Sequence, residues 1–296
     1  MTQLIPVETE EDFRTLLHLE SMLYADAQLH RFPANPQSAV ADRWLFGSPG
    51  EVFRYAYLLS RDGIFTGYAM ANNLYPGEKK FCLMLLPGGM RYAGEALCLI
   101  EGLTSRENRR AAIHINLLDK ELVRAARRRG YHRPCKPSRC QMGLDLSQYR
   151  ETPVVLENEH MARLAPDDFE DRARYSDMAT GRKIPAAQYE ALYQSEYYVS
   201  ARDYVIRSKD GVFAGHLTWW VDEIGETASL EAVATVPEFR RRGIMRRAIL
   251  DGLNTLKAEG VRYAYVSTGA ANPARLLYEG VGFAQLGKTY LYEKRL

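Results

Sequence analysis

Apolar residues recur along this chain with two periods, and each stretch takes the structure that its period favours. Thr9 to Leu23 has helical spacing, with Phe13, Leu16, Leu17 and Met22 on one side and Glu10 and Glu11 in the first turn. Leu29 to Pro36 carries two prolines and reads as a loop, and Phe53 to Leu59 as a strand. Ser60 to Tyr68 predicts a hairpin turning at Asp62-Gly63. Phe81 to Leu86 is an apolar strand, Pro87 to Gly89 turns, and Tyr92 to Leu103 is a helix. Ala111 to Ile115 follows as a buried strand, Lys120 to Arg129 as a basic helix and Gln141 to Leu146 as a closing strand.

A polar joint at Ser147 to Pro153 precedes a second series. Asp167 to Met178 and Pro185 to Tyr193 read as helices, and Asp203 to Arg207 with Val212 to Val221 as a hairpin. Then come a strand at Ser229 to Val236, a helix at Ile244 to Glu259 with Ile249, Leu253 and Leu256 on one face, and a strand at Tyr263 to Ser267. A short helix at Pro273 to Glu279 and a strand at Thr289 to Lys294 close the chain. Hairpins followed by β-α-β-α-β predict an α/β fold, an α+β mixed sheet, mostly antiparallel, with helices on its faces.

The second series repeats the first. SKDGVFAGH at Ser208 to His216 matches SRDGIFTGY at Ser60 to Tyr68, at an offset of 148 residues. Arg91 to Ala96 lies opposite Arg240 to Met245 at 149, and Gly130-Tyr131 opposite Gly282-Phe283 at 152. Three landmarks in one order argue a duplicated domain, with units at 1–148 and 152–296.

Composition narrows the picture. The 296 residues are 46% hydrophobic and 26% charged, which is globular, and the net charge of +2 gives no drive towards nucleic acid. The acidic start MTQLIPVETEEDF lacks a signal-peptide core, and no apolar run has membrane-spanning length. The expectation is a soluble cytoplasmic protein, monomer or homodimer, with no membrane partner. Cys82, Cys98, Cys135 and Cys140 make no disulfide framework in a chain this long, and Cys135 and Cys140 with His132 fit no common zinc spacing, so no metal is expected.

The positive charge is local, at Arg127 to Arg129 and, as the larger cluster, at Arg240, Arg241, Arg242, Arg246 and Arg247. There a strand feeds a helix through Gly243, Ile244 and Met245. The first N–H groups of a helix have no internal partner, and the helix dipole adds positive charge, so the turn is an anion site unless it is merely a solvated arginine run. Gly243 lets a guest approach the backbone.

The stretch resembles the Arg/Gln-x-x-Gly-x-Gly/Ala diphosphate motif of the GNAT superfamily of acetyltransferases. Met245 departs from the Gly or Ala usual there, as in the enhanced-intracellular-survival branch. A second string, VSTGAANPARLLYEGVGF from Val266 to Phe283, resembles the second GNAT motif. Asn272-Pro273 also suits an ordinary helix start. The resemblance implies tandem GNAT-like domains, a layout similar to that of mycothiol synthase. It implies acetyl-CoA as co-substrate, its diphosphate on Arg240 to Arg246, its pantetheine arm along Val233, Ala234 and Thr235 and against Asn272, and transfer to an amine of a small molecule or peptide. Tyr278 would protonate the departing thiolate; otherwise it is a packed aromatic. Glu231 shares a strand face with Val233 and is either the base or a structural carboxylate. In the first copy Ala126 stands opposite Tyr278 and Lys120 opposite Asn272, so the C-terminal unit is expected to be the catalytic one. A non-catalytic acetyl-CoA sensor, or a different acyl donor, is the alternative. Acceptor residues are expected in Met22 to Pro36 and in the tyrosine-rich Tyr175 to Tyr198.

Overall fold

The computed structural model describes residues 1–25, 38–41, 43, 56–72, 80–104, 110–154, 158–181 and 183–296. The predicted loop at Leu29 to Pro36 and the start of the predicted strand at Phe53 lie outside them. Strand β1 (Thr2–Pro6) leads to helix α1 (Glu10–Tyr24), a single turn α2 (Ser38–Ala41), and strands β2 (Ala56–Arg61), β3 (Ile64–Asn72) and β4 (Lys80–Leu85). Helix α3 (Ala93–Thr104), strand β5 (Arg110–Asn116), helix α4 (Lys120–Arg128) and strand β6 (Arg139–Asp145) end the first half. The second half runs β7 (Glu159–Arg163), α5 (Phe169–Thr180), α6 (Ala186–Tyr193), β8 (Ala201–Ser208), β9 (Phe213–Asp222), β10 (Thr227–Thr235), α7 (Ile244–Ala258), β11 (Tyr263–Gly269), α8 (Ala274–Gly280) and β12 (Ala284–Arg295).

Local chemistry explains the boundaries. Thr9 and Asp12 form a reciprocal capping box that starts α1, and Glu10, Glu11 and Asp12 complement its dipole. Asp62 and Gly63 both have positive φ, the geometry of the tight hairpin between β2 and β3. Strands β1 and β7, which the hydrophobic pattern did not predict, are short edge strands.

The described strands form one sheet in the order β1-β2-β3-β4-β5-β12-β6-β11-β10-β9-β8-β7. The order is that of two equivalent halves that have exchanged their last strands. β12 lies against β5, and β6 against β11. The cores follow the exchange. Tyr290 and Tyr292 of β12 pack in the core under α3 and α4, while Cys140 and Met142 of β6 pack in the core under α7. On the opposite face one core joins α1 to α5, α6 and β9.

In each half the two central parallel strands pair briefly and then part. β4 and β5 pair only from Lys80↔Ala112 to Cys82↔His114, and β10 and β11 only from Thr227↔Tyr263 to Ser229↔Tyr265. Beyond Ser229, β10 keeps its partner β9, but a bulge between Leu230 and Val233 interrupts the register. Bulges bend a strand and raise its twist, which turns β10 away from β11. Trp220 Nε1 donates to the Glu231 carbonyl at 2.5 Å and fixes the bulge.

Candidate active site

The stretch after β10 builds the predicted turn. A 3₁₀ turn at Pro237–Phe239 leads to Arg240 in extended conformation, Arg241 at φ 64° and Gly243 at φ 77°, ψ 0°. Two left-handed residues within three make a concave backbone at the start of α7. Arg247 N–H donates to the Gly243 carbonyl at 3.1 Å, so the N–H groups of Ile244, Met245 and Arg246 lie ahead of the helical ladder.

The arginines divide the work. Arg240 Nε donates to the Thr235 carbonyl at 3.1 Å and Nη2 to the Ala179 carbonyl at 3.2 Å, so this side chain braces the turn. Arg241, Arg242 and Arg246 are exposed, and among the described residues no carboxylate forms an ion pair with them. Ile244 and Met245 turn their side chains into the core, which leaves only their backbone facing the turn. Met245 is therefore a packing residue. Its methyl would lie 3.4 Å from a Cβ placed on Gly215. Arg247, which the motif does not single out, covers Gly243, since a Cβ there would lie 3.1 Å from Arg247 Nη1.

Val233, Ala234 and Thr235 pair with Leu217, His216 and Gly215 on one side, and among the described residues no strand lies along their other edge. Their outward backbone groups thus line the gap between β10 and β11. Asn272 sits at the start of α8, where its Oδ1 caps the helix by accepting from Ala274 N–H at 2.9 Å, so its side-chain NH₂ remains a donor. The loop before it is held by the other half: Ala270 N–H donates to the Ser138 carbonyl at 3.2 Å, just ahead of the exchanged strand β6.

Tyr278 is buried in α8, edge-on to Phe283 at 6.2 Å. Burial pushes its hydroxyl pKa well above the usual tyrosine value, and the Glu231 carboxylate adds to the rise. The two side chains are thus electrostatically coupled, and Tyr278 is protonated at neutral pH. Glu231 is half-buried on the bulge.

The tyrosines expected to line an acceptor site are largely engaged in packing. Tyr175 stacks on Phe213 at 4.9 Å, Tyr193 tilts against Tyr198 at 4.8 Å, and Tyr197 meets Phe13 of α1 at 5.1 Å. Trp219 and Trp220 are buried on opposite faces of β9. A contribution that sequence patterning missed comes from the first half. Tyr24 of α1 meets Tyr265 edge-on at 5.5 Å, where β10 and β11 part. Beside it Tyr68 donates to the buried Glu20 at 3.0 Å.

The fold matches those of known proteins. Residues 165–283 match the family model of the acetyltransferase (GNAT) family. A GCN5-related N-acetyltransferase from Sphaerobacter thermophilus has a similar structure, with a TM-score of 0.62 at 17% identity, covering 99% of this chain and 95% of that one. A tandem GNAT protein from the clavulanic acid biosynthesis pathway gives 0.68 at 14%, covering 99% and 98%. A GNAT-family acetyltransferase from Colwellia psychrerythraea gives 0.63 at 13%, covering 99% of each. No curated protein matches the sequence. The family-model match, on a chain with this fold, makes the protein an acyltransferase. Its C-terminal half carries a GNAT-family acetyltransferase domain, the family that draws its acyl group from acyl-coenzyme A. Among the described residues no cluster of metal ligands occurs, and no helix is long and apolar enough to cross a membrane.

Proposed function

We propose that the unit at 152–296 transfers the acetyl group of acetyl-CoA to an amine of a small molecule or peptide, and that the unit at 1–148 supports it without catalysing. The observation that carries this reading is the parting of β10 from β11 after Ser229. The gap leads from the left-handed turn at Arg241 to Gly243, along the open edge of Val233 to Thr235, to the coupled pair Glu231 and Tyr278. Diphosphate would rest on the N–H groups at the start of α7 and the pantetheine arm between the strands.

In the reaction a neutral amine attacks the thioester carbonyl. The oxygen gains negative charge and accepts hydrogen bonds from the open edge of β10. The C–S bond then breaks, the thiolate leaves, and the ammonium proton passes to Glu231, directly or through water. Tyr278 donates to the thiolate. With Glu231 ionised, Tyr278 is a weaker acid than a free thiol, whose pKa is about 8.5. It therefore acts first as a hydrogen-bond donor. Once Glu231 takes the amine's proton, the smaller of the two causes of that rise is gone and proton transfer to the thiolate becomes easier, while burial still holds the hydroxyl up. Returning the proton from Glu231 to Tyr278 resets the pair. With Met245 in the core, no side chain of that residue constrains the acyl donor.

The test is thiol release from acetyl-CoA across a panel of amines. Amine-dependent release that Glu231→Gln slows is the expected result. Tight coenzyme binding with no release for any amine would make the protein a sensor.

A further inference from the structure

One face of the sheet carries α1 at one side and α5 and α6 at the other, with the central strands β5, β12, β6 and β11 between them. Side chains alternate along a strand, so the buried neighbours show which residues look onto this strip. Cys140 and Met142 of β6 pack under α7, which leaves Arg139 on the strip. Ile113 and Ile115 of β5 pack in the core of α3 and α4, so His114 faces the strip too, as does Lys80 beside the buried Phe81 of β4. Ser138 Oγ lies 3.5 Å from His114 Nδ1. The contact of Tyr24 with Tyr265 closes the strip at one end.

The charge here is positive. Burial first, then the Arg139 guanidinium and the Lys80 ammonium, hold the His114 imidazole down to about 4, so it is neutral at pH 7. Lys80 makes an interaction of its own. Arg139 is half-buried, and among the described residues no carboxylate pairs with it. A carboxylate matches the planar fork of a guanidinium with two charge-assisted hydrogen bonds. One uncompensated positive charge balances a carboxylate and falls short of a phosphate dianion.

Register places this cation beside the gap. Arg139 stands across from Gly269 of β11, two residues beyond Ser267. Ser267 and Glu231 are each two residues beyond the last β10–β11 pair, Ser229↔Tyr265. β6 and β10 flank β11, about 10 Å apart and more where β10 turns away. A guanidinium thus stands on one side of the gap and the Glu231 carboxylate on the other. We propose that the acceptor is an amino acid or short peptide, its amine delivered to Glu231 and its carboxylate held by Arg139. This rests on the reading above that acyl transfer takes place in the gap. Arg139 belongs to the last strand of the first half, exchanged into the second. The exchange therefore gives the non-catalytic half a part in choosing the acceptor.

The test is the kinetics of thiol release from acetyl-CoA by the full chain, with amino acids and dipeptides each compared with its own carboxamide. The readout is the ratio of the two KM values in the parent and in Arg139→Gln, so that the difference in amine basicity within a pair cancels. Arg139→Gln should raise KM for the free acids by about tenfold or more relative to the amides, with kcat for the acids near the parent. Arg139→Lys keeps the charge and should retain part of the difference. A ratio unchanged in Arg139→Gln, with acids and amides affected alike, would overturn the assignment while leaving the acyltransferase reading standing. O-phosphoethanolamine used better than any carboxylate, in an Arg139-dependent way, would give the strip to a phosphate and overturn it as well. No release with any amine would remove both readings.

Discussion

Gly94 and Gly243 hold the same place in the repeat, and their surroundings differ in every respect that matters for an anion. Gly243 is left-handed and precedes a helix whose first N–H groups are open. Gly94 lies inside α3, which continues directly from a 3₁₀ turn at Pro87–Tyr92, and Ala93 N–H already donates to the Met90 carbonyl. An anion is built in besides. Glu95 in the first turn of α3 accepts from Thr2 Oγ1 at 2.6 Å and from Arg61 Nη1 at 2.8 Å, while Arg61 and Arg91 both lie over the Tyr92 ring. The strands before the two turns differ as well. From Ser229 to Pro237 the chain is three residues longer than from Cys82 to Pro87, and only the longer one carries a bulge. The lesson is that Arg-x-x-Gly marks a place in the repeat. The handedness of the backbone at Arg241 and Gly243 is what the proposed anion site adds to it.

Breaking this comparison at its sharpest point calls for the same substitution in both turns. Gly243→Val forces a β-branched residue to φ 77° and pushes on Arg247, so coenzyme binding and turnover should be lost. At Gly94 a Cβ meets nothing within 4 Å, so Gly94→Val should leave most turnover intact. Thiol-release rates for the two variants check this, and the reverse pattern would place the working site in the first half.

A second test asks how separate the halves are. Tyr292 belongs to the last strand of the second half but is fully buried in the core of the first. Tyr292→Ala should cost about 3–5 kcal/mol, as large-to-small core changes do. Because β12 lies between β5 and β6, denaturant unfolding should stay a single transition with a lower midpoint. Loss of the first half alone, with the second still folded, would show that the exchanged strands do not couple them.

The mildest test lies where α1 meets the second half. The Arg43 guanidinium beside Glu10 and the Tyr197 hydroxyl hold the Glu10 carboxyl down to about 2. Its folded pKa is below its unfolded value, so its stabilisation is present above about pH 4.5 and is lost as pH falls towards 2. Glu10 is half exposed, so the gain is under about 1 kcal/mol. Thermal melts of Glu10→Gln and the parent should differ at pH 6 and converge near pH 2.

Much of the fold was legible because most elements bury one face, and burial imposes a period. α7 follows Ile249, Leu253 and Leu256 as expected, and the Asp62-Gly63 hairpin forms where predicted. β1 and β7 were not legible, since edge strands need no buried alternation. The exchange of β6 and β12 was hidden for another reason: a closing strand reads the same whichever half it closes. At the candidate site, Tyr278 and Glu231 were visible as residue types, and the structure brings them into electrostatic reach. The left-handed Arg241 was not visible, because a non-glycine residue announces no positive φ. Arg247 and Glu159, 88 residues apart, meet only through the fold.

The central claim, that the second half performs acyl transfer with Tyr278 as proton donor, is tested most directly by kcat of Tyr278→Phe under conditions where chemistry limits the rate. The ring and its contact with Phe283 are retained, so fold and coenzyme affinity should stay near the parent. The account predicts a kcat lower by about 10²–10⁴-fold, the usual range for general acid catalysis. A kcat within about threefold of the parent, far below that range, would contradict it and leave Tyr278 as a core aromatic.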